Sequence, residues 1–374
     1  MTDPRSWSPT VCEDTVNETW FRSCGGVALL LLTLTGCGKA VNLDHPGRLT
    51  PSADPNVLGT LQERVIQLRV DDERLYWLTH LGALRGCRKH SCASSVITYT
   101  EDGANTSVDF GVQGGELFYA ANSGDVLAVD LVDPSVTRAL AQGLEASAFA
   151  IAGDSLYVAQ NGGQINVVGL ASKVGDPVVS IPTVRFSAPV IAAGGDYVYW
   201  FEDTGSGEDL TRARKDGTTQ PETLVHGINL DPYYPHDIAA TVTQSLGLAV
   251  DDAYVYWSEN LLSGAIKRYP VAGGATEPQT VVAPIRVPMR LWLDGPSLYA
   301  AHERDAYQYV VAGCQIEACR PAELAGDLDA VSVFAVDGEY VYTATTTQNL
   351  ASDVAAPDPI TQLRRSAKFG GQSR

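Results

Sequence analysis

Four cysteines fall in two matched pairs, and the spacing narrows what they can do. Four residues separate Cys87 from Cys92, and four separate Cys314 from Cys319. Such neighbours can close local disulfides, or the four thiolates together can hold a metal. Zinc pairs more often have two residues between ligands, and these pairs lie far apart in the chain. Two disulfides are the expectation, with no metal. The six histidines, His45, His80, His90, His226, His236 and His302, are scattered. His80 and His302 each follow an aromatic run and are candidates to face one end of a central channel. Asp72, Asp252 and Glu259 stand at or near repeated turns as candidate calcium ligands, although turn formation alone explains the aspartates. The chain has no Gly-rich phosphate loop, His-Glu-x-x-His, Gly-x-Ser-x-Gly or EF-hand loop. No catalytic residue and no cofactor is therefore assigned.

One segment stands out as a contact surface. Asp231-Pro-Tyr-Tyr-Pro-His-Asp237 lies in an insertion within Pro221 to Ser245. A loop longer than its equivalents often carries function. Tyr233, Tyr234, His236 and Asp237 are the candidate ligand contacts, for sugar or for protein.

The elements that would position these residues come from a repeat. An eight-residue pattern recurs seven times: an apolar or small residue, two turn residues rich in Asp and Gly, two variable residues, Leu or Val, then aromatics. The clearest copies are Val70-Asp-Asp-Glu-Arg-Leu-Tyr-Trp77 and Val250-Asp-Asp-Ala-Tyr-Val-Tyr-Trp257. The anchor aromatics are Tyr76, Phe118, Tyr157, Tyr199, Tyr256, Tyr299 and Tyr342. Their spacing is near 42 residues, except for 57 between Tyr199 and Tyr256. That period suits one four-stranded propeller blade. Asp-Asp, Gly-Gly and Asp-Gly make the turn, and the Leu-Tyr-Trp run suits a strand buried between blades. A looser second half, seen at Gly264 to Gly274, reads as a third strand. The fold class expected is all-β, a seven-bladed β-propeller of four-stranded antiparallel blades. The last repeat lacks an outer strand, and Val57 to Glu63 precedes the first without a blade of its own. That N-terminal strand is expected to close the ring.

Composition agrees with a turn-rich β protein: 374 residues, 35 Gly, 16 Tyr, 2 Met and a net charge of −18. A surface this acidic repels phosphate backbones, so no nucleic-acid partner is expected.

The start of the chain reads as an export signal. Val27 to Leu34 is an apolar run, too short for a bilayer span of about 20 residues but suited to a signal h-region. Leu34-Thr35-Gly36-Cys37 follows and resembles the lipobox of bacterial lipoproteins. The resemblance implies cleavage after Gly36, lipidation of Cys37 and a lipid anchor. Gly38 after Cys37 points by the same rules to the outer membrane, with the domain on its periplasmic or surface face. The acids before the h-region outnumber Arg5 and Arg22, so residues 1–36 are read as a signal peptide with a start-site extension. Its removal leaves 24 basic and 40 acidic residues, a net −16. Residues 37–56 are read as a tether and 57–374 as the propeller.

Tyr256-Trp257-Ser258-Glu259, then Ile266-Lys267-Arg268 and a Gly-Gly turn, resembles the YWTD repeats of low-density-lipoprotein-receptor propellers. Tyr76-Trp77 and Tyr199-Trp200 share its start. The motif's Thr-Asp pair is not reproduced, and receptor propellers of this class have six blades. The resemblance implies the fold and a tendency to bind proteins, but transfers no binding residue. The functional expectation is a lipid-anchored cell-envelope binding or scaffolding module without catalysis, its partner an envelope protein or polysaccharide. The alternative is a lyase or hydrolase acting at the mouth of the central channel.

Overall fold

The structure, a computed structural model, describes residues 49–101, 109–121, 123–160, 163–183, 186–205, 207–230, 246–305, 308–328, 333–347 and 360–368. The chain divides into units Met1–Leu43 and Asp44–Arg374, and every described residue belongs to the second.

After β1 (Val57–Leu61) the chain makes seven four-stranded antiparallel sheets, each running from the ring axis outwards. Blade one is β2 (Val65–Val70), β3 (Arg74–Thr79), β4 (Leu84–Arg88) and β5 (Ile97–Thr100). Blade two is β6 (Gly111–Gln113), β7 (Glu116–Ala120), β8 (Val126–Asp130) and β9 (Thr137–Ala141). Blade three is β10 (Ala146–Ala152), β11 (Ser155–Gln160), β12 (Gln164–Gly169) and β13 (Val179–Pro182). Blade four is β14 (Phe186–Gly194), β15 (Tyr197–Asp203), β16 (Glu208–Arg214) and β17 (Glu222–Ile228). Blade five is β18 (Leu248–Val250), β19 (Tyr254–Glu259), β20 (Gly264–Pro270) and β21 (Gln279–Ile285). Blade six is β22 (Met289–Asp294), β23 (Ser297–Asp305), β24 (Gln308–Gln315) and β25 (Ala322–Leu328). Blade seven is β26 (Val333–Val336), β27 (Tyr340–Thr347) and β28 (Ile360–Ala367), completed on the outside by β1. The strand expected to close the ring does so, with Thr60 opposite Gln362 and Leu61 opposite Thr361.

The repeated turn joins the first two strands of each blade, and its chemistry is plain in blades one, five and seven. Asp71 accepts the backbone N–H groups of Glu73 and Arg74 at 2.8 and 2.7 Å on one oxygen. Its other oxygen accepts the Tyr76 hydroxyl at 2.7 Å. Asp251 does the same for Ala253, Tyr254 and Tyr256, and Asp337 for Glu339, Tyr340 and Tyr342. Those three tyrosines are buried. Burial first, and the aspartate second, lift their phenols well above the usual range. In blades four, five and seven the run is Tyr-Val-Tyr. There an arginine opposite the second tyrosine stacks over the first: Arg212 on Tyr197 and Arg268 on Tyr254 at 4.2 Å, Arg365 on Tyr340 at 5.1 Å.

Neighbouring blades are joined by the residue that follows the third strand. In all seven blades its N–H donates to the turn of its own blade, as Lys89 does to Glu73 and Lys368 to Glu339. Three of these residues are lysines that reach back one blade. Lys89 pairs with Asp337 at 2.7 Å, Lys368 pairs with Asp294, and Lys215 lies 5.7 Å from the Tyr157 ring. Glu63, just after β1, makes a buried ion pair with Arg85 of β4, joining the closing strand to blade one. Upstream, Thr50 bridges Thr60, and the buried Leu49 sits where a Cβ on Gly59 would have to be. The packed body thus includes Leu49.

Removing a turn aspartate strands a buried hydroxyl and two N–H groups. Asp251→Ala is expected to cost about 1–3 kcal/mol, and Tyr256→Phe nearer 1 kcal/mol, as read from urea-unfolding midpoints. Identical midpoints for Asp251→Ala and the unaltered chain would refute the clasp. Asp337 adds a pH dependence. Burial works against its charge, but Lys89, the two N–H groups and the Tyr342 hydroxyl outweigh burial and lower its pKa. A carboxyl depressed by folding stabilises fully above its unfolded pKa and stops doing so as pH falls through the folded one. The chain is therefore expected to lose this contribution below about pH 4. Asp337→Asn is expected to be less stable at neutral pH and to lose less on acidification, in melts from neutral pH to acid.

Candidate functional site on the ring axis

The alternation of strands sorts the connections between two ends of the ring. One end, the turn end, holds the clasped first turns and the links from third to fourth strand. The other, the crossover end, holds the links between blades and between second and third strands.

The seven inner strands line the axis, and most of what they offer is apolar. Among the described residues that line the cavity, charge enters from three blades. Gln67 and Arg69 come from β2, Asp109 from just before β6, and Arg290 from β22. Backbone irregularity aims one of them. The β22–β23 register slips between Met289 and Leu291, leaving Arg290 as the extra residue, with φ of 27°. That is left-handed backbone, which an L side chain adopts at a cost, and bulges of this kind re-aim side chains. Pro288 and Val287 precede it, and Val287 also has positive φ, at 43°.

The four side chains form one network. Asp109 Oδ1 accepts from Arg69 Nη2 at 2.7 Å, from Gln67 Nε2 at 2.9 Å and from the Phe110 N–H at 2.8 Å. Arg290 donates to Gln67 Oε1 at 2.6 Å and to the Ile66 carbonyl at 3.0 Å. Burial pushes the Arg290 guanidinium down to about 10; Arg69 pushes the same way and Asp109 opposes them. It remains charged at neutral pH. The network edges a cavity of about 130 Å³. Its remaining wall is apolar, with Phe149, Ile191, Leu248, Trp292 and Phe334 among the lining. Among the described lining residues, two guanidiniums face one carboxylate.

The cysteines lie elsewhere. Cys87–Cys92 and Cys314–Cys319 are disulfides, with Cα atoms 4.8 and 4.9 Å apart. Both close the third-to-fourth-strand link at the turn end, in blades one and six. The candidate contacts Tyr233, Tyr234, His236 and Asp237 fall outside the described residues, as does Cys37. The insertion's position is nonetheless fixed at its ends: it joins Leu230 to Leu246, and Leu246 lines the axial cavity.

Neither His80 nor His302 is among the described residues that line the axial cavity. His80 is exposed in the link after β3, and His302 faces a separate groove of about 410 Å³ between blades five and six. Both follow or end second strands, which face neighbouring blades; only inner strands face the axis. The His302 Nδ1 lies 3.1 Å from the Glu303 carbonyl, and burial lowers its pKa. Glu303 is buried and pairs with Arg286 at 2.6 Å. Of the candidate calcium acids, Glu259 pairs with Lys267 at 2.7 Å. Among the described residues no three His, Cys, Asp or Glu side chains gather as a metal site.

No protein-family model and no curated protein matches this chain. Solved structures do resemble it. The WD40 propeller domain of Doa1 superposes with a TM-score of 0.56 at 14% identity, covering 84% of this chain and 97% of that one. A puromycin-hydrolyzing peptidase of Mycobacterium tuberculosis gives 0.58 at 14% identity over 81% of this chain. This chain spans about half of that peptidase, 52% of its length. The computationally designed Ika8 protein gives 0.50 at 10% identity, covering 82% and 98%. At such identities the likeness concerns the fold alone.

The backbone at Arg290 makes a direct expectation. At an ordinary strand position alanine is more stable than glycine. Here Arg290→Gly is expected to be more stable than Arg290→Ala, by about 1 kcal/mol. The reverse order in chemical denaturation would contradict the left-handed assignment.

Proposed function

We propose that this chain is a lipid-anchored cell-envelope propeller that binds a partner through its crossover end, as a scaffold rather than a catalyst. The observation that carries the reading is the difference between the two ends. The turn end is tied down by Asp–Tyr clasps, lysine bridges and two disulfides. At the crossover end the chain leaves blade four at Leu230 and re-enters at Leu246, a residue that lines the axial cavity. A rigid frame under variable loops is how β scaffolds present binding surfaces. The Tyr-Trp runs, through their likeness to YWTD repeats, support a protein partner; an envelope polysaccharide is the other candidate.

The lipid anchor rests on Leu34-Thr35-Gly36-Cys37. Disulfides persist outside the reducing cytosol, which agrees with export. Two or three acyl chains on one residue anchor stably, whereas one is marginal.

Metabolic labelling with an alkyne fatty acid in a bacterial host tests the anchor. The full chain is expected to label and to sediment with membranes, and Cys37→Ser to do neither. Labelling that survives Cys37→Ser would overturn it. Cross-linking from the crossover end tests the binding role: a reagent placed at Ser263 is expected to trap an envelope component, and one at Asp216, on the turn end, is not. Equal trapping from both ends would remove the assignment of the binding face.

A further inference from the structure

Two bonds of the same span close the same link in blades one and six, yet their surroundings differ. Cys87–Cys92 is sealed. Both residues are buried, and they pack in one cluster with Leu49, Leu61, Trp77 and Leu363. The helical turn Cys92–Ser94 lies against β1, the closing strand. Cys314–Cys319 is more open. Cys314 is buried, but Cys319 is half-buried, and Gln315, Glu317 and Ala318 between them are exposed. Both cysteines line a slot of about 10 Å³ between blades five and six. The slot shares Val282, Ile285, Ala312 and Pro321 with the groove of about 410 Å³ that His302 faces. Strand alternation accounts for this. Val310, Ala312 and Cys314 lie along one face of β24, so the groove runs along that face to the bond.

Each loop also carries a charge that ties its blade to the one before. Lys89, inside the first, pairs with Asp337 of blade seven. Glu317, inside the second, pairs at 2.9 Å with Arg268 on β20 of blade five.

We infer that Cys314–Cys319 is a thiol-exchange site, a bond that a dithiol reductant opens in the folded ring while Cys87–Cys92 stays intact. Access separates the two bonds, because the attacking thiolate must reach a sulfur. The thiolate attacks the Cys319 sulfur, forms a mixed disulfide and expels the Cys314 thiolate, which takes up a proton. The second thiol of the reductant loses its proton and attacks its partner sulfur in the mixed disulfide. That expels the Cys319 thiolate, which is protonated in turn. Two electrons and two protons have then passed from the dithiol to the cysteine pair, and the reductant leaves as a disulfide. A loop this short restricts the unfolded chain less than a long one, so its opening leaves the ring folded. The change is local. The link that bears Glu317 loses its covalent tie to β24, and the turn-end wall of the groove loosens.

The test uses the oxidised full chain, treated with dithiothreitol under native conditions. Free thiols are alkylated at intervals, and peptide mass spectrometry identifies the labelled cysteines. Cys314 and Cys319 are expected to label at least about tenfold faster than Cys87 and Cys92. Oxidised glutathione is expected to restore the bond. Hydrogen exchange of the chain reduced at this one bond reads the consequence. Peptides covering 314–321 and β21 are expected to exchange at least about threefold faster, and those of blade two at an unchanged rate. Three results overturn the inference: labelling of Cys87 and Cys92 as fast as Cys314 and Cys319, no labelling of Cys314 and Cys319 until the chain unfolds, or faster exchange in every blade once the bond is opened.

Discussion

A phenol hydroxyl carried into the space between two blades leaves water behind and calls for a new acceptor, and in blades one, five and seven this requirement shapes the turn. Asp71, Asp251 and Asp337 meet it from the turn five residues upstream, while also taking the two N–H groups that the turn exposes. One carboxylate thus fixes the turn, the direction of the second strand and the depth of its aromatic ring. The arginine on the facing strand then has a fixed ring to lie on, and Lys89, after its third strand, has a fixed carboxylate in the preceding blade. Asp337 shows the sharing directly, since it serves both Tyr342 and Lys89. Where the turn lacks the aspartate at that place, as at Gly153-Asp154 and Gly195-Asp196, burial still raises the phenol, to about 12 for Tyr157 and Tyr199.

These regularities differ in how openly the sequence displays them. Turn, aromatic and third strand recur at nearly constant distance, so the seven blades, the two disulfides and the closing strand can be read from residue types alone. The lysine bridges are harder. Lys89, Lys215 and Lys368 occupy one structural position, but the stretch between anchor aromatic and lysine varies in length with the link between second and third strands. The axial network is harder still. Gln67 and Arg290 stand 223 positions apart, and only ring closure makes them neighbours. The local hint was a charge inside an otherwise apolar inner strand, as in Val65-Ile-Gln-Leu-Arg-Val70 and Met289-Arg-Leu-Trp292. His302 lies in the groove between blades five and six for the complementary reason: proximity to the repeated aromatic puts it in the second strand, which looks sideways.

A ring of sheets supports many unrelated activities, so the fold constrains the function only through what its residues bring together. Here the turn end is occupied by groups that satisfy one another: carboxylates with hydroxyls, lysines with carboxylates, cysteines with cysteines. The axis differs. Its charged residues come from three blades, Arg290 on a distorted strand, against hydrocarbon and beside open volume. The contrast locates where chemistry with another molecule is to be sought.

Because β1 is both the first strand of the described residues and the outermost strand of the last blade, the ring has a mechanical seam. Any tension applied to the chain ahead of Leu49 meets the Thr50–Thr60 bridge and the buried Leu49 before it reaches the β1–β28 ladder. Behind that ladder stands the Glu63–Arg85 pair, in the linker to blade one. A pull from the N-terminal side is thus arrested in stages, and rupture of the ladder would release the outer edge of blade seven while six complete blades stayed intact.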